Sequence, residues 1–124
     1  MNIKPFREQG FTVLEIVIVV TIISMLAAIA VPDFVKARAA SQMSVCINNL
    51  RQIEGAIHRW ALEQNKDATA PVAYSDISSY LKSAVICPAG GTTFANSYHI
   101  VDAMTKPVCK KLPATHVQSA DTAN

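Results

Sequence analysis

The sequence is poor in the residues from which most catalytic and nucleic-acid-binding sites are built. It has four glycines, and their one adjacent pair, Gly90 and Gly91, lacks the spacing of a dinucleotide-binding or phosphate-binding loop. No nucleophile elbow or metalloprotease helix is present. Charged residues make up 16% and aromatic residues 6%, basic and aromatic side chains are not interleaved, and the formal net charge is only +2. These absences argue against an enzyme and against direct nucleic-acid recognition.

Cysteine is also scarce, with Cys46, Cys87 and Cys109 as the three examples. All three follow a long apolar segment, and if that segment crosses a membrane they face an oxidising compartment in which one disulfide can form. We favour a bridge between Cys87 and Cys109, which would close a loop of about 20 residues and stabilise the fold by about 3 kcal/mol. Cys46 is expected to be a buried small apolar residue, and a bridge from it to either other cysteine stays open.

No metal site or other cofactor is expected from the sequence. A zinc site of Cys87, Cys109 and His116, with or without Cys46, is disfavoured because the short ligand pairs that mark structural zinc sites are missing. Acidic residues are few in the C-terminal part, where only Asp102 and Asp121 follow Asp76. The sequence therefore offers no acid-rich loop for calcium.

The apolar segment, residues 11 to 31, is the dominant feature of the chain. As an α-helix it would be about 31 Å long, close to the thickness of the hydrocarbon layer of a bilayer. Lys4 and Arg7 precede it, which by the positive-inside rule keeps the N-terminus in the cytoplasm and places the rest of the chain outside. Glu15 is its one charged residue. A lone carboxylate costs about 2.5–3.5 kcal/mol at the centre of a membrane helix and less near its end, so Glu15 needs a specific role.

A compact motif surrounds the start of this segment. A basic leader ends in Gly10, the sequence from Phe11 to Glu15 follows, an unbroken apolar stretch comes next, and Pro32 closes it. This pattern resembles the N-terminus of type IV pilins and of type II secretion pseudopilins. The resemblance implies that a prepilin peptidase and N-methyltransferase removes residues 1–10, cuts between Gly10 and Phe11, and N-methylates Phe11.

The same resemblance implies a filament in which this helix is retained. In the filament core, the carboxylate of Glu15 would form an intersubunit salt bridge with the new amine of Phe11 of a neighbouring subunit. Pro32 lies where the long helix of the family commonly kinks, and proline removes one helical hydrogen bond at that point. Residues 11–32 are accordingly the expected transmembrane and filament-core helix.

The chain beyond Pro32 is predicted to form an α+β headpiece. The helix should continue to about Asn65, and one apolar stripe runs along it through Met43, Ile47, Leu50, Ile53, Ile57 and Trp60, with Cys46 and Ala61 on its flanks. A short helix at 74–81 with Ser75 as N-cap, and two strands at 97–101 and 106–110 around a turn, should cover this stripe. The predicted fold is pilin-like: a long N-terminal helix, a short helix and a small antiparallel sheet. We expect the periplasmic headpiece to span 33–112 and a mobile polar tail to span 113–124.

The expected function is that of a prepilin, a structural subunit that polymerises through its N-terminal helix into a type IV pilus or a type II secretion pseudopilus. Its expected partners are copies of itself, other minor pilins, the prepilin peptidase and, before assembly, inner-membrane lipid. The expected location is the inner membrane with a periplasmic C-terminus, and then the filament. Two alternatives stay open: a soluble binding domain secreted after a signal-peptide cut behind Ala30, and a membrane-anchored domain that never polymerises.

Overall fold

The computed structural model describes residues 9 to 118 of the chain. Its elements, in chain order, are helix α1 (Val13–Glu63), helix α2 (Tyr74–Ile77), one turn of 3₁₀ helix (Ser78–Tyr80), helix α3 (Phe94–Ser97), strand β1 (Tyr98–His99) and strand β2 (Val108–Cys109). The two strands pair antiparallel, with Tyr98 opposite Cys109 and His99 opposite Val108. A long N-terminal helix with a few short helices and a small antiparallel sheet confirms the predicted α+β, pilin-like fold.

The chain divides between Ala37 and Arg38 into two compact units. In its described part, the first unit consists of the approach to α1 and the first half of that helix, whose apolar side chains are exposed. The second unit, residues 38–118, is the headpiece, and it contains the one hydrophobic core found among residues 9–118.

The second half of α1 supplies one wall of that core. Its buried residues recur every one to four positions along one face, as the predicted stripe requires: Cys46, Leu50, Ile53, Ala56, Ile57 and Trp60. Cys46 lies at the centre of this face rather than on its flank, being fully buried, whereas Ile47 is half-buried. The opposite wall comes from loops, α2 and β1, through residues such as Val72, Ile77, Val85 and Tyr98.

The helix ends two residues before the predicted boundary, and the reason is local. Asn65 adopts a positive φ of 47°, a conformation that asparagine tolerates better than most residues. The N–H of Lys66 then donates to the carbonyl of Ala61 at 2.9 Å, and that of Asn65 donates to Leu62 at 3.4 Å. These two bonds form a Schellman motif, which stops α1 at Glu63.

The elements that cover α1 are shorter than predicted, and one of them differs in its cap. The N-cap of α2 is Ala73 rather than Ser75, because the Asp76 carboxylate, three residues on, accepts a hydrogen bond from the Ala73 N–H at 2.9 Å. The predicted strand at 97–101 is reduced to two residues because Phe94–Ser97 forms helix α3. Thr93 caps that helix by accepting from the N–H of Asn96.

The C-terminal stretch also differs from the expected polar tail at 113–124. The N–H of His116 donates to the carbonyl of Leu112 at 2.9 Å, which folds residues 112–116 into a turn. His116 is only 2% exposed. This part of the predicted tail is therefore packed into the headpiece, while residues 119–124 lie outside the described residues.

Candidate functional site

The predicted cleavage site lies just ahead of α1, where the chain is exposed. Both Gly10 and Phe11 are exposed, and neither belongs to a helix or strand. A Cβ atom added at Gly10 would have no neighbour within 4 Å. The packing of the described chain therefore gives no steric reason for glycine at position 10, which is compatible with a glycine that another molecule recognises.

Glu15 has a partner within its own chain. The Thr12 N–H donates to the Glu15 carboxylate at 3.4 Å, and the Glu15 N–H donates to the Thr12 hydroxyl at 3.3 Å. This reciprocal pair is a capping box, which satisfies two of the N–H groups left free at the start of a helix. A carboxylate in the first turn is also stabilised by the helix dipole. Glu15 thus starts α1, a role that the sequence analysis overlooked although Thr-x-x-Glu is readable as a capping box.

The first half of α1 has the length and composition of a membrane span. Its most apolar stretch has a mean hydropathy of 2.7, and none of that stretch is buried within the chain. Its polar side chains are satisfied internally: the Thr21 hydroxyl donates to the carbonyl of Ile18, and the Ser24 hydroxyl to that of Val20, each at 2.7 Å. Pro32 lies inside α1, which continues past it. One helix among the described residues can therefore cross a bilayer.

In the headpiece, four side chains from four separate segments converge on one point. Cys46 comes from α1, Cys87 from the loop before α3, Cys109 from β2, and His116 from the turn that follows. Their ligand atoms all lie within 4.8 Å of one another. The exposed fractions are 0% for Cys46, 1% for Cys87 and Cys109, and 2% for His116.

The distances within this Cys₃His cluster are short. The Sγ atoms of Cys87 and Cys109 are 3.7 Å apart, and the Nδ1 atom of His116 lies 4.0 Å from the first and 3.9 Å from the second. All three cysteines are free thiols. The predicted Cys87–Cys109 disulfide is therefore not formed in this structure, although the two residues are neighbours, and the pairing stays a prediction.

Hydrogen-bond donors surround the sulfur atoms. The Tyr98 hydroxyl lies 3.6 Å from the Sγ atom of Cys46 and accepts, at 3.0 Å, a hydrogen bond from the side-chain amide of Asn49. The backbone N–H group of Ala89 lowers the pKa of Cys87, against the effect of burial, and those of Leu112 and Lys111 lower the pKa of Cys109. These donors favour negative charge on the sulfur atoms that accept them.

Burial and these donors act in opposite directions on the three thiols. Burial raises the pKa of Cys46 to about 12, with the hydrogen bond from Tyr98 working against it. It also raises the pKa of Cys87. For Cys109, burial is outweighed by the N–H groups of Leu112 and Lys111 and by the two neighbouring thiols, so its pKa lies below the ordinary value. Cys109 is the thiol most ready to become a thiolate.

Two glycines shape the loop that presents Cys87. Gly90 has a φ of +93°, a left-handed conformation that residues with a Cβ rarely adopt. A Cβ at Gly91 would lie 2.8 Å from the carbonyl oxygen of Cys87, 2.9 Å from its nitrogen, and closer still to the Ser97 hydroxyl. The glycine pair, which fits no phosphate loop, is thus required to fold the chain tightly around Cys87.

The sequence argues against a site at these four residues, because no two of them are closely spaced. Cys87 and Cys109 are 22 residues apart, and Cys109 and His116 are 7 apart. Only the fold brings them together. The one local signal was the position of Cys46 beside the apolar stripe of α1, which placed a thiol at the core.

The N-terminal motif, the exposed membrane-length helix and the small α+β headpiece define the class of pilin-like proteins, and comparisons with known proteins agree. The family model of the prokaryotic N-terminal methylation motif matches residues 5–31. The type IV major fimbrial protein FimA of Dichelobacter nodosus is 30% identical over an alignment of 122 residues, which covers 91% of this chain and 74% of FimA. The chain belongs to the family of type IV pilins and type II secretion pseudopilins, as its N-terminus predicted.

Two further relatives represent the two branches of the family. The type IV major pilin protein PilA of Myxococcus xanthus is 38% identical over 81 residues, covering 64% of this chain and 34% of PilA. The type II secretion system core protein G of Klebsiella pneumoniae is 30% identical over 63 residues, covering 51% of this chain and 45% of that protein. The chain thus spans less than half the length of these two relatives. No solved structure matches it.

Proposed function

We propose that this protein is a prepilin, a structural subunit that is cut between Gly10 and Phe11, N-methylated at Phe11, and polymerised through its N-terminal helix into a type IV pilus or type II secretion pseudopilus. Its partners are copies of itself, other minor pilins and the prepilin peptidase. Before assembly it is held in the inner membrane with its C-terminus in the periplasm. Membership of the family and the methylation motif at residues 5–31 support this proposal.

The observation that carries the proposal is the exposure of the first half of α1. Large apolar side chains along residues 13–35 are exposed in the single chain, and a surface of this kind must be covered by lipid or by other helices. If the apolar segment were a signal peptide, it would be removed from the mature protein. The capping box at the start of α1 and the hydroxyl hydrogen bonds within the helix would then have no function. Lipid before assembly and neighbouring subunits afterwards account for the whole surface.

Glu15 provides the charge that makes assembly specific. In a filament core its carboxylate neutralises the amine that cleavage creates on Phe11 of a neighbouring subunit. Removing one partner of a buried ion pair typically costs about 3–5 kcal/mol, so loss of the charge should block assembly while leaving membrane insertion intact. The capping box gives Glu15 a second role within its own helix, and the test must separate the two.

The separation uses two matched substitutions. Glu15→Gln keeps a residue that can complete a capping box but removes the charge, whereas Thr12→Val removes the cap hydroxyl but keeps the charge. We expect Glu15→Gln to abolish filament formation and Thr12→Val to preserve most of it, as measured by shearing and sedimentation of filaments from cells with equal subunit levels. Loss of filaments in Thr12→Val with retention in Glu15→Gln would show that only the cap matters.

The mass of the mature N-terminus tests the processing step and both alternative functions. We expect a chain that begins at N-methylated Phe11. A chain that begins at Val31 would identify a secreted domain, and an uncut chain would identify a plain membrane anchor. Deleting the gene and assaying protein secretion and surface filaments in parallel then assigns the machine that the subunit serves.

A further inference from the structure

We propose that the headpiece holds a structural zinc ion, bound by Cys46, Cys87, Cys109 and His116. The proposal does not depend on polymerisation, because all four ligands belong to the headpiece of a single chain. Three thiolates and one imidazole form a Cys₃His set, one of the recurring ligand sets of structural zinc sites. The four ligand atoms lie within 4.8 Å of one another, as atoms that share one metal must.

Three of the four ligand atoms have nearly the spacing of a tetrahedral zinc site. Zinc–sulfur bonds of about 2.3 Å place two sulfur ligands about 3.8 Å apart, and a sulfur and a nitrogen ligand about 3.6 Å apart. The structure has 3.7 Å between the sulfur atoms of Cys87 and Cys109, and 4.0 Å and 3.9 Å from those atoms to Nδ1 of His116. For these three side chains, shifts of a few tenths of an ångström suffice to bind the ion, and the Cys46 sulfur, which lies within 4.8 Å of the other ligand atoms, has to move by up to about 1 Å.

The surroundings fit a bound zinc–thiolate group. Zinc with three thiolates and a neutral imidazole carries a net charge of −1, which would be unfavourable in a buried position without donors. The Tyr98 hydroxyl, which accepts a hydrogen bond from Asn49 at 3.0 Å, lies 3.6 Å from the sulfur of Cys46 and can donate to it. Such outer contacts orient the ligands of a metal and stabilise their charge. Protons displaced from the thiols on binding leave to solvent.

Neither simple burial nor a disulfide accounts for the whole cluster. Burial suits three thiols, which behave as small apolar groups, but not an imidazole that is 2% exposed and faces two sulfur atoms. A Cys87–Cys109 disulfide uses two of the four side chains and leaves Cys46 and His116 without a purpose. Zinc and that disulfide exclude each other, so the two are separable by experiment.

The four ligands fit a structural zinc site rather than a catalytic one. Four protein ligands close the coordination sphere, so no position is left for a water molecule or substrate. The ion would join α1, the Cys87 loop, β2 and the turn at 112–116 at a single point. The headpiece has strands of only two residues, and a metal is a common means of stabilising a domain with so little regular structure.

The first test uses the full chain without an affinity tag, extracted from membranes in detergent under reducing conditions without chelator. We expect one zinc per chain by elemental analysis, and three thiols that react with a thiol reagent only after a strong chelator removes the metal. Returning zinc to the chelated protein should raise the unfolding temperature of the headpiece. Iron or copper in place of zinc, or substoichiometric zinc together with freely reactive thiols, would overturn the proposal.

Variants then identify the ligands. In the cobalt-substituted protein, the sulfur-to-metal charge-transfer absorption should fall by about a third in Cys46→Ser, since one of three thiolates is lost. His116→Ala should keep that absorption but change the tetrahedral ligand-field bands. His99→Ala is the matched control, because His99 is exposed and outside the cluster. Tyr98→Phe should weaken zinc binding on the order of tenfold, as expected for a supporting contact.

A last measurement addresses the oxidising compartment directly. Thiols are alkylated in intact cells, and the protein is then mapped without reduction. Free alkylated Cys87 and Cys109 with zinc in the purified chain support the site. A Cys87–Cys109 disulfide in most of the mature protein, or unchanged metal content in a Cys46→Ser, His116→Ala double variant, would overturn it.

Discussion

Replacing Gly91 by alanine is the sharpest test of how the headpiece is packed. The added methyl group would lie 2.8 Å and 2.9 Å from backbone atoms of Cys87, and closer still to the Ser97 hydroxyl. Backbone atoms cannot move aside as a flexible side chain can. The loop must therefore shift, and Cys87 with it, although φ at position 91 is not left-handed.

The expected loss of stability follows from this overpacking. Extra methylene or methyl groups forced into a packed site typically cost about 1–3 kcal/mol, and since two of the atoms that the new methyl group meets are backbone atoms of Cys87, we expect about 2 kcal/mol for Gly91→Ala. For a domain of this size, a loss of about 2 kcal/mol lowers the unfolding temperature by about 8–16 °C. Gly90→Ala meets no atom within 4 Å but must adopt a φ of +93°, which costs about 1–2 kcal/mol.

Gly55→Ala is the matched control, because the same change of side chain should there raise the stability of the headpiece. Gly55 lies on the exposed side of α1, where a Cβ meets nothing within 4 Å, and alanine stabilises a helix interior by about 0.5–1 kcal/mol relative to glycine. Trp60, the single tryptophan, is 8% exposed, so its fluorescence reports unfolding of the headpiece. Urea titrations of the full chain in detergent, with and without chelator, give the three free energies. The reasoning fails if Gly91→Ala is as stable as Gly55→Ala.

Two further predictions concern the core and acid stability. Ile53→Ala, at a fully buried position, should lower the free energy of unfolding by about 2–5 kcal/mol. Leu62→Ala, at a side chain that is 78% exposed, should change it by less than about 0.5 kcal/mol. Equal effects of the two substitutions in urea titrations would contradict the assigned core face of α1. Hydrogen bonds from the Thr105 hydroxyl, the Thr105 N–H and the Met104 N–H hold the pKa of Asp102 below its ordinary value. Because the folded state favours the ionised form, this contribution is present above about pH 4 and is lost as the pH falls further. Asp102→Asn should therefore flatten the acid side of the stability profile, and an unchanged slope would refute the assignment.

The sequence was informative wherever the signal is local and periodic. Spacings of three and four placed Leu50, Ile53 and Trp60 on the core face of α1, where all three are buried. The predicted ends of the helices were less accurate where a local hydrogen bond determines the end. Asp76 makes Ala73 rather than Ser75 the N-cap of α2, and the positive φ of Asn65 stops α1 at Glu63.

The Cys₃His cluster could not be predicted in the same way, since zinc motifs are recognised by closely spaced ligand pairs. Here each ligand comes from a different segment, and only the pairing of β1 with β2 and their packing against α1 define the site. Ligands that are far apart in the sequence and meet only in the fold are not recognised by spacing. The burial of His116 was not predicted for a further reason, because residues 113–124 form a polar stretch without periodicity, which is typical of a mobile tail.

The loop around Cys87 links the packing of the headpiece to the proposed metal site. The glycine pair lets the chain fold tightly around Cys87, and the pairing of Tyr98 with Cys109 places the tyrosine hydroxyl near Cys46. A shift of this loop should therefore weaken the packing and the proposed metal site together. If so, Gly91→Ala will lose more stability with zinc present than with chelator, since the bound ion stabilises only the chain that holds all four ligands in place. Equal losses under the two conditions would show that the loop and the ligand cluster are independent.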